Sequence, residues 1–329
     1  MDFALLYDGQ KCIYGWGNHR SSTHQESASF WINDFEGSDS RPWKTFENIQ
    51  ESAEIPLEIL ESLKCAHEWK CFDKKQFKNL WDKAQDQMKV HNLQKIVLAL
   101  SDHSSDLISK KALPSFQSRS GFFYAFKFNG QLAWGYTPEL FFRKNSSSIE
   151  TVALAGTYKT LSPEFLEREK ALDLEHSLVV EYFQNLAQKL NLSLELSDRQ
   201  ELAQGNISHL QTRIHLAQFK DKDLNHFISE LHPTPALGVF PKNPETLEVL
   251  HALRNQVDLP SYYGAPFGFG DSKTSLFVVM IRGHFLSNEI NNQILKRSIG
   301  VGITQQSSFE EEWAELEQKR KSMELLWNL

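Results

Sequence analysis

Two carboxylates and one ammonium fall on one face of a segment near the C-terminus. In Ser308-Phe309-Glu310-Glu311-Glu312-Trp313-Ala314-Glu315-Leu316-Glu317-Gln318-Lys319, Ser308 and Glu311 have the spacing of a helix capping box. A helix started there carries Glu312, Glu315 and Lys319 at i, i+3 and i+7. Trp313, Leu316 and Met323 are left to pack along a different stripe. Just before it runs Ile299-Gly300-Val301-Gly302-Ile303, where glycines alternate in a strand at a cost in stability. Carboxylates beside such a backbone suit Mg²⁺ and an anionic ligand. A solvated charged face is the alternative.

Further residues invite chemistry. Lys95 opens the apolar run Ile96-Val97-Leu98. Turned inward it is desolvated, which favours the neutral amine a general base needs; turned outward it is a strand-edge lysine reaching water. Glu139, in Tyr136-Thr137-Pro138-Glu139-Leu140, lies between aromatic-rich strands. Apolar surroundings would raise its pKa and fit it for general-acid work, unless it sits exposed after a proline turn. Gly156 and Thr157 end the strand finishing Ala155-Gly156-Thr157, where a ligand can approach backbone N–H groups. Glu175 precedes His176 in a helix and offers a metal ligand or an ordinary surface carboxylate. Arg282 follows five apolar residues and suits bidentate binding of a carboxylate, with Tyr263 adding a hydroxyl, or the two form a core pair. His232 stands in a proline-rich loop, His232-Pro233-Thr234-Pro235-Ala236, better suited to shaping a pocket wall than to acting as a base.

These residues need positioning. Short strands are expected at Phe3 to Tyr7, Lys11 to Trp16 and Ser27 to Ile32, with a loop over Glu36 to Pro42. Asp73 and Gln76 predict a second capping box, opening a helix with the stripe Phe77, Leu80, Trp81, Ala84 and Met88. Lys95 to Leu100 reads as a buried strand. Gly121 to Phe128 and Leu132 to Tyr136 read as a hairpin closed at Asn129-Gly130, and Leu140 to Arg143 with Ile149 to Ala155 as a second. A long helix is expected from about Pro163 to Leu190, then strands at Leu192 to Leu196 and Ile207 to Ala217. Strands around Phe277 to Arg282 and Gln293 to Ile303 are expected to pair with each other. Many hairpins with a few long helices predict an α+β fold: one large domain, two layers of mostly antiparallel sheet and flanking helices.

Composition narrows the function classes. With 329 residues, 40% of them apolar, the chain can bury a sizeable core. The net charge of −7, with no basic run to offset it, argues against nucleic acid as a partner. Three cysteines without a Cys-x-x-Cys pair suit a reduced compartment, and Cys65-His67-Cys71 lacks a usual zinc spacing. No basic leader precedes the first apolar run, and no stretch is long enough to span a bilayer, so a cytoplasmic protein is expected.

Taken in order, these segments resemble the chorismate-utilising enzymes: isochorismate synthase, salicylate synthase, anthranilate synthase component I and aminodeoxychorismate synthase component I. The likeness runs from about Phe77 to Lys319 and rests on at least seven segments. It implies a single chorismate-binding domain over residues 1–329, of which residues 1–70 form a shortened and poorly matched N-terminal part. It implies Mg²⁺ on Glu175 and Glu315, with Glu312 as a further carboxylate. The chorismate ring carboxylate is then expected on the metal, and the enolpyruvyl carboxylate at Tyr263, Arg282 and the backbone of Gly300 and Gly302. Gly156, Thr157, His209 and Lys319 match other substrate positions. Lys95 matches the lysine of members that use water, where ammonia users resemble glutamine, and Glu139 matches the acid that protonates the departing C4 hydroxyl. Ala236 falls where isochorismate synthases commonly carry alanine, and salicylate and anthranilate synthases threonine. Isochorismate synthase is therefore the implied activity, feeding menaquinone or a siderophore, with salicylate synthase and then an ammonia-using synthase as alternatives. Chorismate is the implied partner, with no obligatory glutaminase, nucleic acid or membrane, in a monomer or homodimer. The chain departs from the family at Leu100, often arginine, at Tyr158, and at Val239, usually glycine.

Overall fold

A computed structural model describes residues 1–66, 68–108, 121–159, 164–204, 207–220, 224–289 and 292–327, with no account of the side chains of 156–159, 164–171, 203–204, 207–208, 289, 292 and 327. His67 and the Thr157 side chain, both named above, lie outside this description.

The chain opens with β1 (Phe3–Tyr7), β2 (Cys12–Ser22), β3 (Ser29–Ile32) and β4 (Trp43–Ser52), then α1 (Leu57–Ser62) and β5 (Cys65–Ala66). Helix α2 (Lys74–Val90) starts at the expected capping box. The Asp73 carboxylate accepts from the Gln76 N–H, and the Gln76 side chain accepts from the Asp73 N–H. Its predicted stripe is buried. β6 (Lys95–Ser104) and β7 (Leu107–Ile108) precede the hairpin of β8 (Phe122–Phe128) and β9 (Gln131–Thr137). Asn129 and Gly130 close it at φ 50° and 77°, as a two-residue turn of matching twist requires. The second hairpin, β10 (Leu140–Asn145) and β11 (Ser148–Lys159), also forms. Then come α3 (Glu164–Leu190), β12 (Ser193–Leu196), β13 (Gln200–Gln204), β14 (Ile207–Ala217), α4 (Leu224–Leu231), β15 (Val239–Phe240) and α5 (Pro244–Arg254). β16 (Pro266–Gly270), β17 (Thr274–Val279), β18 (Gly283–Glu289), β19 (Asn292–Thr304) and α6 (Phe309–Trp327) complete the described chain.

Seventeen strands share one sheet, and every pairing among the described residues is antiparallel. Hydrogen bonds lead from β15 through β6, β19, β18, β9, β8, β1, β2 and β4. They continue through β3, β16, β17, β10 and β11 to β14, which also pairs with β12 and β13. One expectation is corrected here. The strands at Phe277 and Gln293 do not pair with each other, because β17 lies between β16 and β10 while β19 lies between β18 and β6. The apolar runs looked alike, and only the long-range path of the sheet separates them.

The sheet folds back so that its halves face each other. Tyr124 and Phe126 of β8 meet Phe267 of β16, with ring centroids 6.2 and 5.7 Å apart. Their neighbours Phe123 and Ala125 point to the other face and pack with Ile59 of α1 and Leu63 just after it, as the two-residue period of a strand demands. Behind the second half, α3 places Val179, Tyr182 and Phe183 against Phe142, Ile149 and Phe277. Helices α2 and α6 cover β6 and β19, with Phe77 stacked on Phe309 at 5.4 Å and Leu316 and Met323 in the same core as Ile96 and Leu98. Each large side chain buried this way contributes roughly 1.5–3 kcal/mol. The folding back brings the β6–β19 end of the sheet close to the β11–β14 end. No described helix is long and apolar enough to cross a membrane.

Candidate active site

A cavity lies where the two ends of the sheet meet. Its wall takes Lys95 and Val97 from β6, Ser298 to Gly302 from β19, Leu154 and Ala155 from β11 and His209 from β14. Loops add Glu139, Ala236, Leu237, Tyr263 and Arg282, and helices add Glu175, Lys319 and Met323. Most of the residues singled out from sequence thus share one cavity, though they are spread over more than two hundred positions of the chain.

Lys95 is not a strand-edge lysine. It pairs with Phe240 of β15 on one side and Thr304 of β19 on the other, and is 1% exposed. Alternation sends Ile96 into the core and leaves Lys95 and Val97 on the cavity side. The Lys95 Nζ lies 2.9 Å from Glu175 Oε1. Both side chains press on Gly302: a Cβ added there would stand 2.8 Å from Lys95 Cε and would collide with Glu175 Oε1. An added Cβ at Gly300 would meet the Tyr263 hydroxyl at 2.9 Å. Both alternating glycines are therefore needed for close approach, but what approaches in this structure is the protein's own side chains.

Glu139 sits in the turn between β9 and β10. Its N–H donates to Thr137 Oγ1 and its carbonyl accepts from the Val279 N–H, which fixes the turn. The side chain is 8% exposed. Burial pushes its carboxyl from 4.5 up to about 7, against the opposing pull of Lys95, Arg282 and Lys319. The group is thus an acid poised near neutrality.

Arg282 joins β17 to β18 at φ 51°, a left-handed conformation costly for a residue with a Cβ. Such strain at a cavity wall is a mark of a functional position. The guanidinium donates from Nη2 to His209 Nε2 at 3.0 Å, so that nitrogen is the unprotonated one. Burial, then Arg282 and Lys319, hold the His209 imidazole well below its usual range. Burial raises the Tyr263 hydroxyl and keeps it a neutral donor. Cationic Arg282 and Lys319, neutral His209 and neutral Tyr263 therefore make this side of the cavity an anion-binding wall.

His232 lies behind the wall. Its Nε2 donates to the Phe35 carbonyl at 2.9 Å, and burial depresses its pKa to about 3. This agrees with a loop-shaping role. Val239 pairs with Ile96 and is buried in the core beside α2 and α5, outside the cavity wall, so it leaves the pocket surface to Ala236 and Leu237. Gly156 sits at a register shift in the β11–β14 ladder: Ala155 faces Leu210 and Thr157 faces His209, leaving Gly156 as the extra residue.

The capping hydroxyl of Ser308 accepts from the Glu311 N–H and starts α6. Lys319 reaches from this helix into the cavity, donating to the Gly300 carbonyl at 2.8 Å and pairing with Glu315 at 2.8 Å. Glu315 meets the cavity through that lysine. Glu312 is buried at 4% and, like Glu315, is not part of the wall itself. Among the described residues no three His, Cys, Asp or Glu side chains stand ready to hold a metal. The donor chemistry of Glu175, Glu312 and Glu315 suits Mg²⁺, which takes hard oxygens and is commonly held by one or two carboxylates plus substrate and water.

The apolar half of the wall was missed in sequence: Val97, Leu154, Leu237, Ile281 and Met323. Two signals were available. Val97 is two residues beyond Lys95 on the same strand face, and Met323 is four beyond Lys319 on the same helix face. Met323 thus borders the cavity beside Lys319 while it also packs with Leu316 and Trp313 in the core, as the expected stripe requires.

A family model described as chorismate binding enzyme matches residues 25–326, nearly the whole chain. The chain belongs to the chorismate-binding enzyme family. Its sequence is 30% identical to isochorismate synthase MenF of Pasteurella multocida over 56% of this chain and 44% of that one. It is 28% identical to isochorismate synthase MenF of Bacillus subtilis over 62% of this chain and 44% of that one. The chain thus spans about half the length of the curated relatives it matches. Among solved structures, the menaquinone-specific isochorismate synthase MenF of Escherichia coli superposes with a TM-score of 0.74 at 18% identity, covering 99% of this chain and 89% of that one. At that identity the likeness establishes the fold, in agreement with the α+β architecture read from sequence.

Proposed function

We propose that this chain is an isochorismate synthase, converting chorismate to isochorismate with water as nucleophile. The observation that carries the reading is the pairing, in one cavity, of the fully buried Lys95 with Glu139, an acid protonated up to about pH 7. Lys95 removes a proton from water as the water oxygen attacks C2 of chorismate. Both ring double bonds shift, C1=C2 to C1=C6 and C5=C6 to C4=C5, and the C4–O bond breaks. Glu139 gives its proton to the departing oxygen, so one water enters and one leaves. Arg282 and Tyr263 hold the enolpyruvyl carboxylate, with Lys319 and the backbone of Gly300 and Gly302 completing that side. Mg²⁺ held by Glu175 and Glu315, with Glu312 beside them, would neutralise charge on the ring carboxylate. A cation on Glu175 competes with Lys95 for the same carboxylate. Gly156, Thr157 and His209 border the ring, and Ala236 keeps the wall small. Residues 1–329 act as one chorismate-binding domain, supported by the pairing of β1 with β8 and β3 with β16.

Incubation with chorismate and Mg²⁺, followed by NMR of the products, tests the reading. Isochorismate as the sole product is expected. Salicylate with pyruvate would replace it by a salicylate synthase. An aminated product formed only with ammonium salts would replace it by an ammonia-using synthase.

A further inference from the structure

A second cluster of buried charge lies outside the cavity. Asp102 of β6 is fully buried, and four donors converge on its carboxylate. Oδ2 accepts from Arg297 Nε at 2.9 Å and Arg320 Nε at 3.0 Å, and Oδ1 accepts from Arg320 Nη2 and the Phe72 N–H, both at 3.1 Å. Arg320 also donates to the Phe72 carbonyl at 3.2 Å, and Arg297 to Glu324 Oε1 at 2.9 Å. The Trp69 ring lies 4.4 Å from the Arg297 guanidinium.

The three ionised groups come from the elements that carry the proposed chemistry. Asp102 is on β6 with Lys95. Arg297 faces it in register on β19, three residues before Gly300. Arg320 follows Lys319 on α6. The helix is therefore tied to the sheet at two adjacent residues, Lys319 on the Gly300 carbonyl and Arg320 on Asp102, and one turn further on by Glu324, which accepts from Arg297. Burying such a cluster is poor value as stabilisation, since apolar residues of equal volume commonly serve as well. What apolar packing lacks is register. A bidentate guanidinium on a fixed carboxylate sets the height and rotation of a helix more narrowly than methyl groups can.

We infer that Asp102 is a positioning residue: through Arg320 and Arg297 it sets the seat of α6 on β19 and β6, and so places Lys319 and Glu315 at the cavity. The kinetic part of this inference rests on the proposed function, while the placement of Lys319 stands apart from it. The test uses Asp102→Asn and, in case that variant fails to fold, Arg320→Lys, which keeps the charge and loses the fork. Amine acylation mapped by mass spectrometry reads Lys319 directly, at a temperature where circular dichroism shows the variants folded. Lys319 is expected to label faster than in the parent, with exposed lysines such as Lys83 unchanged. The KM for chorismate is expected to rise so that kcat/KM falls by roughly 100-fold, with the smaller share in kcat. Unchanged Lys319 labelling in both folded variants overturns the inference. So does a loss confined to kcat that tracks the unfolded fraction. A parent protein without chorismate turnover removes the proposed function and leaves the labelling outcome to decide the positioning role.

Discussion

Replacing Glu139 by glutamine should stabilise the protein in a way that depends on pH. The carboxyl is raised from 4.5 to about 7 by burial. Below pH 4.5 it is protonated in folded and unfolded chains alike, and contributes no difference. Between 4.5 and 7 the unfolded chain ionises first, so the folded state loses stability as pH rises. Above 7 the whole penalty is present, about 3 kcal/mol at roughly 1.4 kcal/mol per tenfold change in proton affinity. Glutamine is nearly isosteric and does not titrate. Any cost of its amide in the turn is independent of pH and drops out of the comparison. Urea unfolding of both proteins in metal-free buffer, at several values from about pH 4.5 to pH 8, measures the effect. The Glu139→Gln protein should gain about 3 kcal/mol relative to the parent across that range, at constant m value. A difference that stays flat, or shrinks as pH rises, would mean that Glu139 is ionised in the fold at neutral pH and is no general acid.

Three further outcomes follow from the same geometry. The kcat/KM of the parent should fall as pH rises through about 7, as Glu139 loses the proton it donates; a profile flat from pH 6 to 8 would contradict that role. Lys95→Gln should lower kcat by roughly 10²–10⁴-fold while ligand binding in the presence of Mg²⁺, measured by calorimetry, is largely retained; near-normal turnover would remove Lys95 as the base. Gly302→Ala sets a methyl group against Lys95 and Glu175 and should cost at least about 10²-fold in kcat/KM. A fully active Gly302→Ala protein would show that these two side chains are not held where the chemistry needs them.

Local signals in the sequence were reliable where the physics is local. Asp73 and Gln76 form the reciprocal cap their spacing implies, and Asn129-Gly130 makes the turn its two positive φ angles allow. β4 was overlooked because Trp43–Ser52 is largely polar and exposed beyond its first residues. β16 was overlooked because Pro266–Gly270 carries residues that disfavour strands, although three of its neighbours in space are aromatic: Phe30, Trp31 and Phe277. The candidate site was legible as a set of residue types, and family likeness supplied their grouping. What sequence left open was orientation. By its own sequence context Lys95 read more readily as an edge lysine than as a buried one, because its burial depends on β15 and β19, more than a hundred residues away. Asp102 was passed over for the same reason: its two arginine partners are 195 and 218 positions distant.

The central claim is that water, activated at Lys95, displaces the C4 hydroxyl of chorismate at C2 while Glu139 protonates the leaving oxygen. Turnover in ¹⁸O-enriched water with Mg²⁺ tests it most directly, with the product analysed by mass spectrometry and by ¹³C NMR isotope shifts. The account predicts isochorismate carrying ¹⁸O at the C2 hydroxyl. Isochorismate that has retained the original C4 oxygen, or no isochorismate at all, would contradict it.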